Sequence, residues 1–450
     1  MTTRTTFMQI ESFYVKGLFG HFDHEVPLSV DDRITIIHGP NGTGKTAMLK
    51  LLHGLFNIRF SALFEIPFLE FGVRFDDGSI LTAEKLVDEI ENSPDSETIN
   101  LSFRGQEWPF SRHSYQKYLH AAERTFRDRH PAIQQIGAET WLTIAGGSAE
   151  VRLFQDQLSA EEDMGCDKLK PRVPNWLLEI KAAAPVSLIR TNRLTNPVVR
   201  KRHRLTAEIP AQSVEEYADD LVSRFQIVLS HYASVAEKLE RSFPERVIHG
   251  KVQTYNRSEA EQRIAQLEGR RQRLQNVGLI SIAPDLPAYT TENVDDRQLE
   301  ILSAYLTDSE EKLSVLEPFA AQLQLFTEII NNKFRHKKIH VSNCDGIVFL
   351  NDNGDKFFAA ELSSGEQHQL ILAYELLFGT PPNALVLIDE PEISLHIAWQ
   401  QTFMSDLDRT TALGKYRALV ATHAPSIIYN RWDLTVELKD WINEAVAHGI

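Results

Sequence analysis

The feature that most constrains the fold is the segment Gly39-Pro40-Asn41-Gly42-Thr43-Gly44-Lys45-Thr46, which matches the pattern of Gly, four residues and Gly-Lys-Ser/Thr. Arg33–Ile37 before it has the composition of a buried strand, and Ala47–Phe56 after it has leucines at helical spacing. In such a strand, loop and helix, backbone N–H groups surround a phosphate, Lys45 reaches the β- and γ-oxygens, and the Thr46 hydroxyl binds Mg²⁺. The sequence therefore predicts an α/β nucleotide-binding protein, with contacts from Gly39, Pro40, Asn41, Gly42, Thr43, Gly44, Lys45, Thr46 and Ala47.

A second apolar segment, Asn383–Ile388, leads directly into Asp389 and Glu390. A buried parallel strand here would place the Asp389 carboxylate beside Mg²⁺, directly or through water, and Glu390 next to the γ-phosphate, where it can deprotonate water. The alternative is a solvated strand end, which the phosphate loop makes less favourable. A further apolar run, Tyr416–Ala421, ends at Thr422-His423, so His423 is placed to contact a γ-phosphate, although a lone histidine is more often structural.

The segment Glu361-Leu362-Ser363-Ser364-Gly365-Glu366-Gln367 precedes a helical run. Taken alone it is a helix cap, with Ser364 and Gln367 spaced like a capping box. Its helix N-terminus and the Ser363 hydroxyl could also face an anion. Its position before the acidic strand distinguishes ABC-type ATPases from other phosphate-loop proteins, which favours the anion interpretation.

The middle of the chain has a different pattern. From Val214 to Leu239, apolar residues repeat every 3.5 residues, and leucines resume the seam from Leu299 to Leu323, with a kink expected at Pro318. The sequence predicts an inserted helical arm at residues 210–333, between the two parts of the head at residues 1–209 and 334–450. The seam is compatible with packing inside one subunit or with a partner-binding surface.

Composition limits the possible partners. The net charge of −15 argues against sequence-blind binding of nucleic acid by the whole surface. A local basic run could contact DNA, RNA or nucleotide, or could be a solvated linker; it comprises Arg190, Arg193, Arg200, Lys201, Arg202 and Arg204, and is echoed by Lys333, Arg335, Lys337 and Lys338. Two separated cysteines and the lack of a secretion signal or apolar span lead us to expect a cytoplasmic protein without membrane contact.

The order of these motifs, including Asp389-Glu390-Pro391-Glu392, Ser394-Leu395-His396 and Thr422-His423-Ala424-Pro425, resembles the ABC-type ATPase heads of the SMC, RecF and OLD superfamily. Within that group the chain is most similar to the stand-alone ATPases of bacterial antiphage systems such as Septu and PARIS. The resemblance implies that Ser363 and Gly365 contact the γ-phosphate of ATP held by a second subunit. It also implies that Glu390 is the catalytic base and that His423 is the switch histidine.

The motifs depart from the family pattern in the signature, where Ser364 and Glu366 replace the Gly and Gln usual in transporters. No clear glutamine loop is visible, and Asn192, after the strand Pro185–Thr191, is the best substitute for it. Asn192 is therefore predicted to contact the nucleotide with its Mg²⁺.

The sequence thus predicts an α/β ABC-type ATPase head with a mixed sheet and an inserted coiled-coil-like arm. We expect it to hydrolyse Mg-ATP at composite sites in a homodimer or larger homo-oligomer, as an antiviral sensor or scaffold acting with a separate effector nuclease. A RecF-like or SMC-like DNA-repair ATPase is the main alternative. A transporter subunit and a scaffold that binds ATP but barely hydrolyses it are two further ones.

Overall fold

The computed structural model describes residues 7–29, 31–86, 97–117, 133–135, 140–145, 148–153, 173–190, 214–249, 253–280 and 294–438. The chain divides into two compact units, of which the first comprises Met1–Ala211 with Gly379–Ile450 and the second comprises Gln212–Phe378. Within the described residues, no helix combines the length and the apolar character that crossing a membrane requires. Asn192 and the basic run from Arg193 to Arg204 lie outside the described residues.

The first unit contains two large sheets. Their strands are β1 (Ile10–Leu18), β2 (Phe22–Pro27), β3 (Ile34–His38), β4 (Glu70–Phe75), β5 (Ile80–Leu86), β6 (Thr98–Phe103), β7 (Gln106–Ser111), β11 (Val186–Arg190), β15 (Leu385–Asp389), β16 (Arg417–Thr422) and β17 (Thr435–Glu437). The antiparallel sheet has six strands in the order β2-β1-β4-β5-β6-β7, and the parallel sheet has five in the order β11-β15-β16-β3-β17.

The α/β fold class predicted from the sequence is confirmed, but the parallel and antiparallel strands form separate sheets instead of one mixed sheet. A third sheet of β8 (Ile133–Gln135), β9 (Thr140–Ala145) and β10 (Ser148–Leu153) was not anticipated. The helices of this unit are α1 (Lys45–Phe56), α2 (Ser61–Glu65), α3 (Asn175–Ala183), α9 (Ile397–Gly414) and α10 (Pro425–Ile428).

The parallel sheet is buried because its strands are almost wholly apolar. Ile34, Ile36 and Ile37 of β3 are fully buried, as are Val386, Leu387 and Ile388 of β15. Continuous apolar runs of this kind are typical of parallel strands covered on both faces. The carboxyl ends of β3, β15 and β16 consequently lie at one edge of the sheet, where the predicted motifs follow each strand.

The second unit combines long helices with a small antiparallel sheet. Its helices are α4 (Val214–Ile248), α5 (Arg257–Asn276), α6 (Asp296–Ser314), α7 (Glu317–Lys333) and α8 (Ser364–Tyr374), and α8 continues into a π-helical turn at Glu375–Gly379. Its strands are β12 (Lys337–Ser342), β13 (Gly346–Asn351) and β14 (Lys356–Phe358).

The predicted seam of α4 faces the interior of this unit at Val214, Leu221, Phe225 and Leu239, all of which are buried. Phe225 packs edge-on against Phe319 of α7, with ring centroids 5.1 Å apart. The side chains that bond α4 to α6 are Arg246 to Asp308 and Lys312 to Glu240, so these two helices run in opposite directions. At these four positions the seam serves packing inside the subunit, whereas Val228, Tyr232 and Val235 of the same seam are half-buried.

Two features of the second unit differ from the sequence prediction. The leucine seam does not kink at Pro318, because α6 ends at Ser314 and Pro318 lies in the first turn of a new helix, where a missing N–H is tolerated. The sequence assigned residues 334–378 to the head, whereas the compact unit groups them with the helices. Contacts such as the Ile339 N–H donating to Asn331 Oδ1 at 3.0 Å explain that grouping.

Candidate active site

The segment between β3 and α1 is a glycine-rich loop that opens onto a helix N-terminus. Gly42 and Gly44 both have φ of +92°, a conformation that other residues rarely adopt. A Cβ on Gly44 would also lie 2.3 Å from Leu18 Cδ2, so the close approach of β1 requires glycine there. No side chain caps α1 and its first turn has no acidic residue, which leaves this positive helix end suited to an anion.

Lys45, the first residue of α1, is almost completely buried, with 5% of its surface exposed. Its Nζ donates to the carbonyl oxygens of Gly39 and Pro40, both at 2.8 Å. Burial lowers the pKa of Lys45, and the nearby carboxylates of Glu390, Glu392 and Asp389 only partly oppose that change. The loop thus holds a desolvated ammonium whose favourable partner would be a phosphate.

The structure brings Thr46 and Asp389 together although 343 positions separate them in the chain, since the Thr46 hydroxyl donates to Asp389 Oδ1 at 3.1 Å. Burial raises the pKa of Asp389, and Glu390 adds to this effect while the Thr46 bond opposes it. A cation bound to these two oxygens would stabilise the ionised form of Asp389, which burial disfavours.

The donors fit Mg²⁺ of the kind that accompanies a nucleotide. Among the residues that the structure describes, no group of three or more His, Cys, Asp or Glu side chains could enclose a metal by itself. Mg²⁺ characteristically takes one or two protein oxygens and completes its shell with phosphates and water. Thr46 Oγ1 and Asp389 Oδ1 match that requirement. Lys45, which carries the buried ammonium, directly precedes Thr46 in the chain.

Glu390 follows Asp389 in a left-handed backbone conformation, with φ 46° and ψ 57°. This conformation is costly for a residue with a side chain, and it is held by the Glu390 N–H donating to Ala421 O at 2.8 Å and by Pro391 after it. The turn directs the chain away from the sheet directly after β15. The Glu390 side chain is about one third exposed, at 30%, as an acid that must reach water requires.

His423 follows β16 at the same edge of the sheet. Its Nδ1 lies 3.7 Å from Glu390 Oε1 and 3.0 Å from Glu392 Oε1, so only Glu392 is within hydrogen-bonding distance. His423 lines a cavity of about 410 Å³ together with the start of the phosphate loop; the other lining residues are His38, Gly39, Pro40, Asn41, Pro425, Ile428, Trp432 and Glu437.

Two residues near these motifs were given no role by sequence reasoning. Glu392 accepts hydrogen bonds from Thr422 Oγ1 at 2.7 Å and from the His423 N–H at 3.1 Å. His24 of β2 is buried and its Nε2 donates to the carbonyl of Thr43 in the phosphate loop, at 2.9 Å. Glu392 belongs to the segment Asp389-Glu390-Pro391-Glu392, so the presence of a further acid two residues after Glu390 was a usable signal. His24 occupies an ordinary strand position and gave none.

Ser363 and Gly365 belong to the second unit, at the beginning of α8. The Ser363 N–H and hydroxyl both donate to Glu366 Oε2, at 2.9 and 2.6 Å, and Lys337 Nζ donates to both oxygens of Glu366. The predicted cap between Ser364 and Gln367 is wrong by one residue, because α8 begins at Ser364 and Ser363 is its N-cap. A Cβ added to Gly365 would meet open space.

Comparison with known families gives one match. Residues 205–428 are similar to the family described as "AAA domain, putative AbiEii toxin, Type IV TA system". This stretch includes the signature, the acidic strand and His423 and begins after the phosphate loop. No curated protein matches the chain.

Solved structures that resemble the fold include three SMC heads. The head of Pyrococcus furiosus with an extended coiled coil, bound to the C-terminal domain of ScpA, is 14% identical, with 96% of this chain and 94% of that chain covered and a TM-score of 0.37. The head of Thermotoga maritima is 12% identical, with 95% and 94% covered and a TM-score of 0.32. The head of Pyrococcus yayanosii, with a coiled coil and joint, is 14% identical, with 94% and 93% covered and a TM-score of 0.34.

Proposed function

We propose that this protein is an ABC-type ATPase that binds Mg-ATP at the Gly39–Thr46 loop and hydrolyses it. The observation that carries the proposal is the approach of Thr46 Oγ1 to Asp389 Oδ1 beside the buried Lys45 ammonium. A single site thus combines a phosphate cradle, a cation for phosphate oxygens and two oxygen ligands for Mg²⁺. These are the parts that phosphoryl transfer requires.

In this proposal the uncapped N-terminus of α1 and Lys45 bind the β- and γ-phosphates. Bound Mg²⁺ would neutralise charge on the phosphate oxygens, held by Thr46 and Asp389. Phosphate binding also relieves the cost of the buried Lys45 charge, because the ammonium exchanges two neutral carbonyl partners for anionic oxygens.

Glu390 is the proposed catalytic base. Its partly exposed carboxylate accepts a proton from water, and the water oxygen attacks the γ-phosphorus in line with the bond to the β-phosphate, which breaks as ADP leaves. The left-handed turn fixes Glu390 at the end of β15, and His423 is held nearby, on the side of the site that Gly39 and Pro40 line. Both side chains act at the phosphate end of the nucleotide.

We further propose that two copies associate head to head, so that Ser363 and Gly365 of one contact the ATP of the other. The resemblance of the signature motif supports this arrangement. The contacts of Ser363 suit it, because its hydroxyl and N–H already bind an anionic group, the Glu366 carboxylate, at a helix N-terminus. A γ-phosphate would compete for the same donors.

The biological role that we propose is an antiviral sensor or scaffold that acts with a separate effector nuclease. The similarity of the motif order to antiphage ATPases supports it. So does the family description, which names a toxin of a toxin–antitoxin system and thereby favours a two-component system over transport. Co-purification of the chain with the products of neighbouring genes would test this part of the proposal, and recovery of a permease in place of a nuclease would refute it.

The association is tested with Glu390→Gln, which preserves the shape of the site and removes the base. ATP is expected to accumulate unhydrolysed and to hold two heads together in mass photometry. Adding Ser363→Arg should abolish the ATP-dependent species while leaving nucleotide binding intact. Ser314→Arg, at another exposed serine of the second unit, is the matched control and should have no effect. Equal association in both double variants would refute the role of Ser363.

A further inference from the structure

The mechanism above assigns no task to Glu392, which lies in the 3₁₀ turn Pro391–Ser394 directly after the proposed base. Its side chain is nearly buried, with 7% of its surface exposed. Oxygen Oε1 accepts two hydrogen bonds, from the Thr422 hydroxyl at 2.7 Å and the His423 backbone N–H at 3.1 Å, and it lies 3.0 Å from Nδ1 of the His423 ring. Two of its three close partners therefore belong to His423.

This burial of Glu392 does not by itself favour the stability of the fold. A buried carboxylate loses its hydration, and this loss destabilises the fold unless the charge is well paired. Glu392 Oε2 is buried and has no hydrogen-bond partner among the described residues, so the compensation is one-sided. An apolar residue would fill the same turn at lower cost, which indicates that the hydrogen bonds at Oε1 have a specific purpose.

The geometry distinguishes the two acids next to His423. Glu392 Oε1 is 3.0 Å from Nδ1, whereas Glu390 Oε1 is 3.7 Å away and outside hydrogen-bonding distance. An ionised carboxylate can only accept, so the shorter contact is attractive when Nδ1 carries the proton. The ring nitrogen that is left for the cavity beside Gly39 is then Nε2.

We propose that Glu392 is a positioning residue for His423, and the proposal rests on the ATPase function above. It holds the imidazole through Nδ1–H and the backbone N–H and directs Nε2 toward the nucleotide. It also keeps the histidine from pairing with Glu390, which leaves the base available to water. Nδ1 of His423 is 3.7 Å from Glu390 Oε1, and a hydrogen bond is about 3 Å long. Without Glu392, a small rotation of the ring that moves Nδ1 by less than about 1 Å would therefore let His423 bond to Glu390 and occupy the base.

The test compares Glu392→Leu, which removes the acceptor, with Glu392→Gln, whose amide oxygen can still accept from Nδ1–H. For Leu we expect kcat for ATP hydrolysis to fall by about 10- to 100-fold, the usual cost of losing a carboxylate that orients a functional histidine. KM for ATP and the affinity for ADP should stay within about threefold, and Gln should restore most of kcat. Glu84→Leu, at an exposed acid of β5 that does not line this cavity, is the matched control and should leave kcat unchanged.

Long-range ¹H–¹⁵N NMR of histidine-labelled protein gives a readout that needs no nucleotide. The His423 ring, assigned by comparison with His423→Asn, should be protonated on Nδ1 in the wild type and in Glu392→Gln, and should lose that preference in Glu392→Leu. A wild-type ring protonated only on Nε2 would overturn the proposal, even where the Leu variant does not fold. A parallel loss of kcat and affinity in both variants would also overturn it, whereas absence of ATP turnover in the wild type would overturn the ATPase function instead.

Discussion

Replacing Lys45 by methionine tests the phosphate-binding assignment most directly. Methionine keeps the length and apolar stem of lysine and removes only the ammonium, which donates to Gly39 O and Pro40 O in the structure. When phosphates replace these carbonyls, two hydrogen bonds to charged oxygens are gained, each worth about 1.5–3 kcal/mol. Their loss, about 3–6 kcal/mol, corresponds to an affinity for ATP weaker by about 10²- to 10⁴-fold.

The same numbers predict the effect of ATP on thermal stability. At an ATP concentration 100 times the wild-type Kd, binding stabilises the protein by about 2.7 kcal/mol, but by only about 0.4 kcal/mol when Kd is 100-fold weaker. For a unit of this size the increase in Tm should drop from about 5–10 °C to about 1–2 °C. Without nucleotide, Tm should change little, because the variant loses two hydrogen bonds but also removes a charge that burial disfavours.

Isothermal calorimetry with Mg-ATP and thermal denaturation with and without ATP are the assays. Lys181→Met is the matched control, since Lys181 is an exposed lysine of α3 outside the phosphate loop. It should bind ATP as the wild type does. If Lys45→Met and Lys181→Met showed equal affinities and equal shifts in Tm, the reasoning from the buried ammonium would be refuted.

Two further predictions concern the second unit. Phe225→Ala should lower the free energy of unfolding by about 3–5 kcal/mol, because the fully buried ring of Phe225 packs on Phe319. Ile227→Ala, at a site that is 69% exposed, should lower it by less than about 0.5 kcal/mol. Urea denaturation measures both losses, and equal losses would show that the buried seam does not include Phe225. Burial raises the pKa of Glu366, but hydrogen bonds from Lys337 and Ser363 outweigh it and lower the pKa below its ordinary value. The ionised group therefore stabilises the fold fully above about pH 4.5 and loses this contribution as the pH falls through the lowered pKa. Glu366→Gln should melt earlier than the wild type at pH 7, and the difference in Tm should shrink as the pH is lowered below about 4.5.

The local elements were predictable because each motif carries its own structural signal. Glycines, an apolar strand and helical leucine spacing place β3, the loop and α1 within one or two residues of their observed bounds. The approach of Thr46 to Asp389 also followed, since carboxyl ends of parallel strands share an edge. The class of fold and the central part of the site are thus encoded in short segments.

The pairing of Glu392 with His423 could not be predicted from the sequence. It depends on β15 and β16 being neighbours and on the left-handed turn at Glu390. Neither feature produces a recognisable pattern in the adjacent sequence. The separation into two sheets had the same cause, because strand composition does not specify the neighbour. Pro318 was ambiguous for a local reason, since proline is compatible with both a kink and a first turn.

The position of β3 in its sheet has a consequence for the order in which the protein folds. β3 lies between β16 and β17, at Arg417–Thr422 and Thr435–Glu437, so both neighbours of this strand are synthesised several hundred residues after it. During synthesis on the ribosome, the phosphate loop cannot become rigid until β15 has been made and until β16 and β17 can pair with β3. The residues Gln212–Phe378, by contrast, are continuous and can become compact while that edge is still unpaired. The candidate site therefore forms only after β16 and β17 have been made, and until then the isoleucines of β3, which are buried in the folded sheet, lack their strand neighbours and are prone to aggregation.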